Sequence, residues 1–137
     1  MLQKRINSLP TVQARVLTEA EYAEHADRII ETFFPFSASD STCRDITDDS
    51  PSDVRRLLTE WGLTAESEVR ALWPYEDSGI VISGRQFVEH YDDLWYPSGD
   101  DVWIVLRDYT MLIYITHEEE ACRVRPRQTK RRLDTSA

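Results

Sequence analysis

The densest chemistry in the chain lies in one stretch, Tyr91-Asp92-Asp93-Leu94-Trp95-Tyr96-Pro97-Ser98-Gly99-Asp100-Asp101-Val102-Trp103, which holds four acids and four aromatics in 13 residues. Aromatic rings supply desolvatable area and faces for cation–π contact, and carboxylates beside them complement positive charge. That combination suits an anchor for an Arg- or Lys-rich surface. Asp92, Asp93, Tyr96, Asp100 and Asp101 are the candidate contacts. A purely structural use competes with it, in which Trp95 and Trp103 plug the core and Asp100 or Asp101 hydrogen-bonds the turn backbone. A second acidic stretch offers Asp45, Asp48 and Asp49 to the same kind of partner.

Other chemistries are less well served. A metal site drawn from His90, Asp92, Asp93, Asp100, Asp101, His117 and Glu118 mixes ligand types that suit zinc, manganese or iron, but no HxH or HExxH spacing is present. Four glycines and no GxSxG leave neither a phosphate-cradling loop nor a nucleophile elbow. The sequence therefore calls for no catalytic residue, no metal and no cofactor. Cys43 and Cys122 are too few for a disulfide framework and are expected as reduced thiols, one buried and one in a loop. His117, five residues before Cys122, is weak support for a catalytic thiol.

Charge narrows the partner. The formal net charge is −9, but it is unevenly spread. Residues 17–122 carry seven arginines against 24 acids, whereas residues 123–137 carry six basic residues against one acid. An acidic body repels phosphate backbones and speeds encounter with a cationic protein. The bland alternative is that the acidity serves solubility alone. The Arg-rich end reads as a flexible tail that folds back on the acidic body or touches nucleic acid.

The elements that position these residues follow from periodicity. Thr18 and Glu21 form a capping-box pattern, and Tyr22, Ala26, Ile29, Ile30 and Phe33 share a helical face that Pro35 closes. Residues 35–50 lack a usable period and read as a long loop. Ser50-Pro51-Ser52-Asp53 opens a second helix, with Val54, Leu57, Leu58 and Trp61 buried and Gly62 beyond its end. Glu68–Trp73 and Gly79–Ser83 read as strands. A third helix carries Phe87, Tyr91, Leu94 and Trp95, and Val102–Leu106 and Met111–Thr116 form a hairpin whose strands are apolar on both faces. The expectation is an α+β fold in the order α-α-β-β-α-β-β: one domain over residues 1–122, an antiparallel sheet of about four strands with about three helices against it, and a basic tail over 123–137.

The aromatic–acidic LWYPSGDD junction feeding the VWIVL and MLIYITHEEE strands resembles small acidic immunity proteins that neutralise bacterial polymorphic or contact-dependent toxins. The likeness spans the last third of the chain. It implies a cytoplasmic, non-enzymatic inhibitor that occupies a toxin's active-site groove, such as the basic groove of a nuclease. Two alternatives remain: an adaptor domain whose Arg-rich tail contacts nucleic acid, and a small metal-dependent enzyme. No run of apolar residues is long enough to span a membrane.

Overall fold

Thr18 Oγ1 accepts the Glu21 N–H at 3.1 Å and the Glu21 carboxylate accepts the Thr18 N–H at 3.0 Å, so the capping box starts helix α1, Glu19–Phe33, where the sequence places it. The Thr18 backbone bond, with help from Arg15, holds the Glu21 carboxyl down to about 2. Ala26, Ile29 and Phe33 are buried, whereas Ile30, assigned to the same face by spacing, is 48% exposed. Ser50 and Asp53 build a second capping box for α2, Pro51–Glu60, with Pro51 in the first turn. Its Val54, Leu57 and Leu58 are buried. Gly62 follows with φ of +113°, a conformation that favours glycine at a helix end. Ser83 Oγ accepts the Gln86 N–H at 3.1 Å at the start of α3, Gly84–Leu94.

This architecture comes from a computed structural model that describes residues 13–64, 67–94 and 101–127. Seven strands form one sheet: β1 Arg15–Val16, β2 Ser41–Asp45, β3 Glu68–Trp73, β4 Ser78–Ser83, β5 Val102–Leu106, β6 Leu112–Ile115 and β7 Glu120–Val124. Their order is β1-β4-β3-β5-β6-β7-β2, and every neighbouring pair is antiparallel. The α+β class stands, but the sheet has seven strands rather than about four. Of the three additions, β1 is two residues long and β2 is polar and exposed, so backbone hydrogen bonds carry their pairing at the sheet edges, whereas β7 buries Ala121, Cys122 and Val124 between β6 and β2.

Helices cover both faces. Val69, Ala71, Ile80, Ile82, Val102, Ile104, Ile113, Ile115 and Ala121 pack with Leu57, Leu58, Phe87 and Leu94 of α2 and α3. Leu72, Val105, Leu112, Cys122 and Val124 face the other way and pack with Ala26, Ile29 and Phe33 of α1. Consecutive strand residues point to opposite faces, so double coverage explains why β5 and β6 are apolar throughout.

Two expectations change. Residues 35–50 are not simply a loop, because β2 pairs with β7 through Ser41↔Val124, Cys43↔Cys122 and Asp45↔Glu120. Cys43 and Cys122, expected as free thiols, are joined in a disulfide. Directly opposed positions on paired strands bring side chains close enough for that bond, a proximity invisible at a sequence separation of 79. The boundary drawn between residues 122 and 123 also falls inside β7. Arg123 and Val124 belong to the sheet. Beyond them the Arg125 N–H donates to the Asp40 carbonyl at 2.8 Å and the Arg127 N–H to the Thr32 carbonyl at 3.0 Å. Residues 128–137, the rest of the expected tail, lie outside the described residues.

A close approach fixes Gly84. A Cβ there would sit 2.7 Å from the Thr64 carbonyl oxygen, beside the hydrogen bond from the Gly84 N–H to the Ser67 carbonyl at 2.8 Å. Backbone cannot yield as a flexible side chain can. Gly84→Ala is therefore expected to cost about 1–3 kcal/mol of stability, read as a lower denaturant midpoint with an unchanged slope.

Candidate functional site

Strand register brings several segments to one end of the sheet. β3 and β6 finish there and β5 and β7 begin there, because Leu72 pairs with Trp103, Val102 with Ile115, and Ile115 with Ala121. The 3₁₀ turn Pro74–Glu76, Asp101, and the turn at His117–Glu119 therefore cluster. β2 also ends there, since Asp45 pairs with Glu120, and leads into Asp48, Asp49 and the start of α2. The C-terminal end of α3 is tied in by Trp73 Nε1, which donates to the Leu94 carbonyl at 3.1 Å inside the core.

Asp101 is the hub of this end. It is only 5% exposed, the one buried acid among the described residues. Its carboxylate accepts the Tyr114 O–H, the His117 backbone N–H and His117 Nδ1, each at 2.8 Å. Burial pushes the Asp101 carboxyl up, but the donors from His117 and Tyr114 outweigh it, and the group lies below the usual carboxylate range. The same hydrogen bond raises His117 above an ordinary histidine, against the opposing effect of desolvation. Burial, then Asp101, push the Tyr114 phenol up. Tyr75, 65% exposed, stands with its ring centroid 6.1 Å from that of His117, and the Asp101 charge raises its phenol as well. Behind the hub, Trp103, Tyr114 and Phe34 form an aromatic cluster, with Tyr114 edge to face against both of the others.

The expected contact residues divide. Asp101 is buried, and its oxygens serve His117 and Tyr114, so it braces the turn, the structural use that the sequence reading set beside partner contact. Asp92 is exposed and ion-paired with Arg55 at 2.7 Å. Asp49 is half-buried and paired with Arg44 at 3.1 Å. Asp45 is exposed but accepts the N–H and Oγ1–H of Thr47 at 2.9 and 2.6 Å, bonds that lower its carboxyl. Asp48 and Asp93 are exposed, with no ionic partner among the described residues. Tyr96 and Asp100 lie outside the described residues, as does Trp95. The acids nonetheless converge: burial raises the Tyr91 phenol, and Asp92, Glu119 and Asp49 add to that rise while Arg55 opposes it. Asp49, Asp92 and Glu119, from three segments, thus all act on the one Tyr91 side chain.

His117, a candidate in the sequence only as a metal ligand and as a weak partner for Cys122, is placed instead against Asp101. Its approach to Asp101 and Tyr75 depends on register, and no local motif marks it. A carboxylate on Nδ1 fixes the imidazole and turns Nε2 outward, an arrangement suited to holding or passing a proton. The metal candidates His90, Asp92, Asp93 and Glu118 do not converge with His117 and Asp101 into a three-ligand group among the described residues. No protein-family model, curated protein or solved structure matches the chain.

The hub has a pH signature. A raised histidine contributes stability that is full below its unfolded value near 6.5 and is lost as pH rises through its folded value. A lowered carboxyl contributes stability above its unfolded value near 3.9 that is lost as pH falls through its folded value. Asp101→Asn is therefore expected to cost about 1–3 kcal/mol, most between the two unfolded values, roughly pH 4 to 6.5, and less once pH has risen through the folded value of His117. Denaturant midpoints of the two proteins across pH 3–9 check it, and a pH-independent difference would show that His117 stays neutral.

Proposed function

We propose that the chain is a non-enzymatic binding protein that captures a basic protein through the acidic end of its sheet. The observation that supports this reading is the convergence of Asp45, Asp48, Asp49, Asp92, Asp93 and Glu118–Glu120 there from separate stretches of chain. Arg44 and Arg55 neutralise only Asp49 and Asp92, so a net negative field remains to steer a cationic surface. The exposed Tyr75 beside His117 adds an aromatic face at the same end.

The kind of partner follows from the resemblance to immunity proteins: a toxin domain, such as a nuclease, whose substrate groove is basic. Occupying that groove with carboxylates in place of phosphates blocks the toxin without chemistry by the inhibitor. Among the described residues no helix is long and apolar enough to cross a membrane. The bonded cysteines fit an oxidising surrounding, whereas the cytoplasm expected of an immunity protein would hold the same pair as thiols.

Affinity capture with the full chain, at low and at physiological salt, identifies the partner. The reading expects one near-stoichiometric protein with a basic domain. Asp48→Lys combined with Asp93→Lys should then slow its association at least about tenfold and flatten the salt dependence, with the thermal midpoint unchanged. Capture of nucleic acid that disappears on deleting residues 128–137 would instead favour the adaptor reading. A captured protein indifferent to both substitutions would remove the acidic end from the interface.

A further inference from the structure

We propose that Cys43, Cys122 and Glu120, once the cysteines are reduced, form a binding site for a thiophilic divalent cation of the zinc class. One donor atom from each residue lies within 4.8 Å of the other two. The register explains the cluster. Cys43 opposes Cys122, and two residues along each strand Asp45 opposes Glu120. Side chains two apart on a strand share a face, so Cys43, Cys122, Asp45 and Glu120 project from one face of the β2–β7 pair, and the donor atoms of Cys43, Cys122 and Glu120 come together there. Asp45 Oδ1 is engaged by Thr47, which leaves Glu120 as the oxygen ligand.

The chemistry of the set favours a soft metal. Thiolates select zinc-class ions over magnesium or calcium, and a carboxylate is an accepted third ligand. In a tetrahedral zinc site with bonds of about 2.3 Å to sulfur, the two sulfurs sit roughly 3.8 Å apart. Cys43 and Cys122 are bonded across directly opposed positions, where Cβ atoms lie about 3.5–4.5 Å apart, so rotation of the two reduced side chains brings the sulfurs to that spacing. Three protein ligands leave a fourth position for water. The alternation that gathers these ligands also sends Arg44 and Arg123 to the opposite face, so no guanidinium of these strands competes for the thiolates.

Access and balance are both provided for. Cys43 is exposed on the edge strand, open to a small thiol reductant. Two monothiol molecules give up two electrons and two protons, the protein disulfide becomes two cysteine thiols, and the monothiols leave as their own disulfide. The cation then displaces the two thiol protons to solvent. The β2–β7 clasp thus persists in two chemical forms, a disulfide under oxidising conditions and a metal bridge under reducing ones.

The test uses the full chain, reduced with excess monothiol that is then removed without oxygen, and titrated with cobalt(II). One cobalt per chain is expected, with a near-ultraviolet sulfur-to-cobalt charge-transfer band that zinc abolishes by displacement and that the oxidised chain lacks. Glu120→Gln should weaken the affinity tenfold or more while keeping the band. Cys43→Ser, at an exposed edge position, should remove the band with the near-ultraviolet circular dichroism of the tryptophans retained. Absence of a band in the reduced chain, two chains per metal, or affinity unchanged in Glu120→Gln would each overturn the proposal.

Discussion

The structure depends on a sheet whose central strands are buried on both faces. Val69, Ala71, Ile104 and Ile113 point toward α2 and α3, while Leu72, Val105 and Leu112 point toward α1. Each of these side chains is at most 1% exposed, and burying an aliphatic side chain fully is worth about 1.5–3 kcal/mol. A sheet used this way has no polar face left for recognition. Most charged and titratable side chains lie at the strand ends, on the edge strand β2, in the turns and on the outer surfaces of the helices, with Arg70 an exception within β3. The acidic end is the consequence of this exclusion acting on a chain rich in aspartate and glutamate.

Gathering like charges at one end opposes folding, and the structure offsets it locally. Asp101, the acid nearest the core, is surrounded by donors from His117 and Tyr114 and lies among aromatic rings. A buried carboxylate with that many partners is tolerated, whereas an unpaired one would be costly. Asp49 and Asp92 are matched by Arg44 and Arg55. Farther from the core, Asp48 and Asp93 remain solvated, where repulsion is weak and screened by salt. Satisfaction thus decreases outward, and the acids best placed to meet a partner are those that contribute least to the fold.

How much of this was legible in the sequence depends on how local the determinant is. The Thr18–Glu21 capping box, the opening of α2 at Ser50–Asp53 with its helical stripe, and the β5–β6 hairpin are written in neighbouring residues, and they form where spacing places them. β2 and β7 were not legible, because STCRD has no apolar alternation and EACRV is hidden between charge runs. Their pairing is a property of two segments 79 residues apart at the cysteines. The same reason hid the disulfide. Of the candidate site, residue type alone was legible: the sequence marks the acids, but not that Asp101 is buried, because burial at a strand end depends on what β6 and the His117 turn place beside it. Tyr109 shows the limit from the other side. It takes φ of +58° in its turn, a costly conformation for a bulky residue, held by its burial in the α1 layer, where it hydrogen-bonds His25 and lies under Arg28 at 3.9 Å.

The clasp between β2 and β7 links fold to recognition. β2 is the outer strand, and four of its five side chains are exposed, so apolar burial contributes little to holding it. Its position relies on backbone pairing with β7 and on the Cys43–Cys122 tie. Closing a loop across 79 residues removes chain entropy from the unfolded state worth about 4.5 kcal/mol in the loop-closure account. That is a large share of the stability of a small domain. Immediately after β2 come Asp48 and Asp49, at the acidic end. Whatever keeps Cys43 against Cys122 therefore also holds the start of the segment that carries these carboxylates, and under the proposed binding reading a preformed charge pattern avoids the entropic cost of ordering it at the moment of encounter. On that reading the sulfur tie at the sheet edge and the charge at the sheet end act together, because the same five-residue strand leads from one to the other.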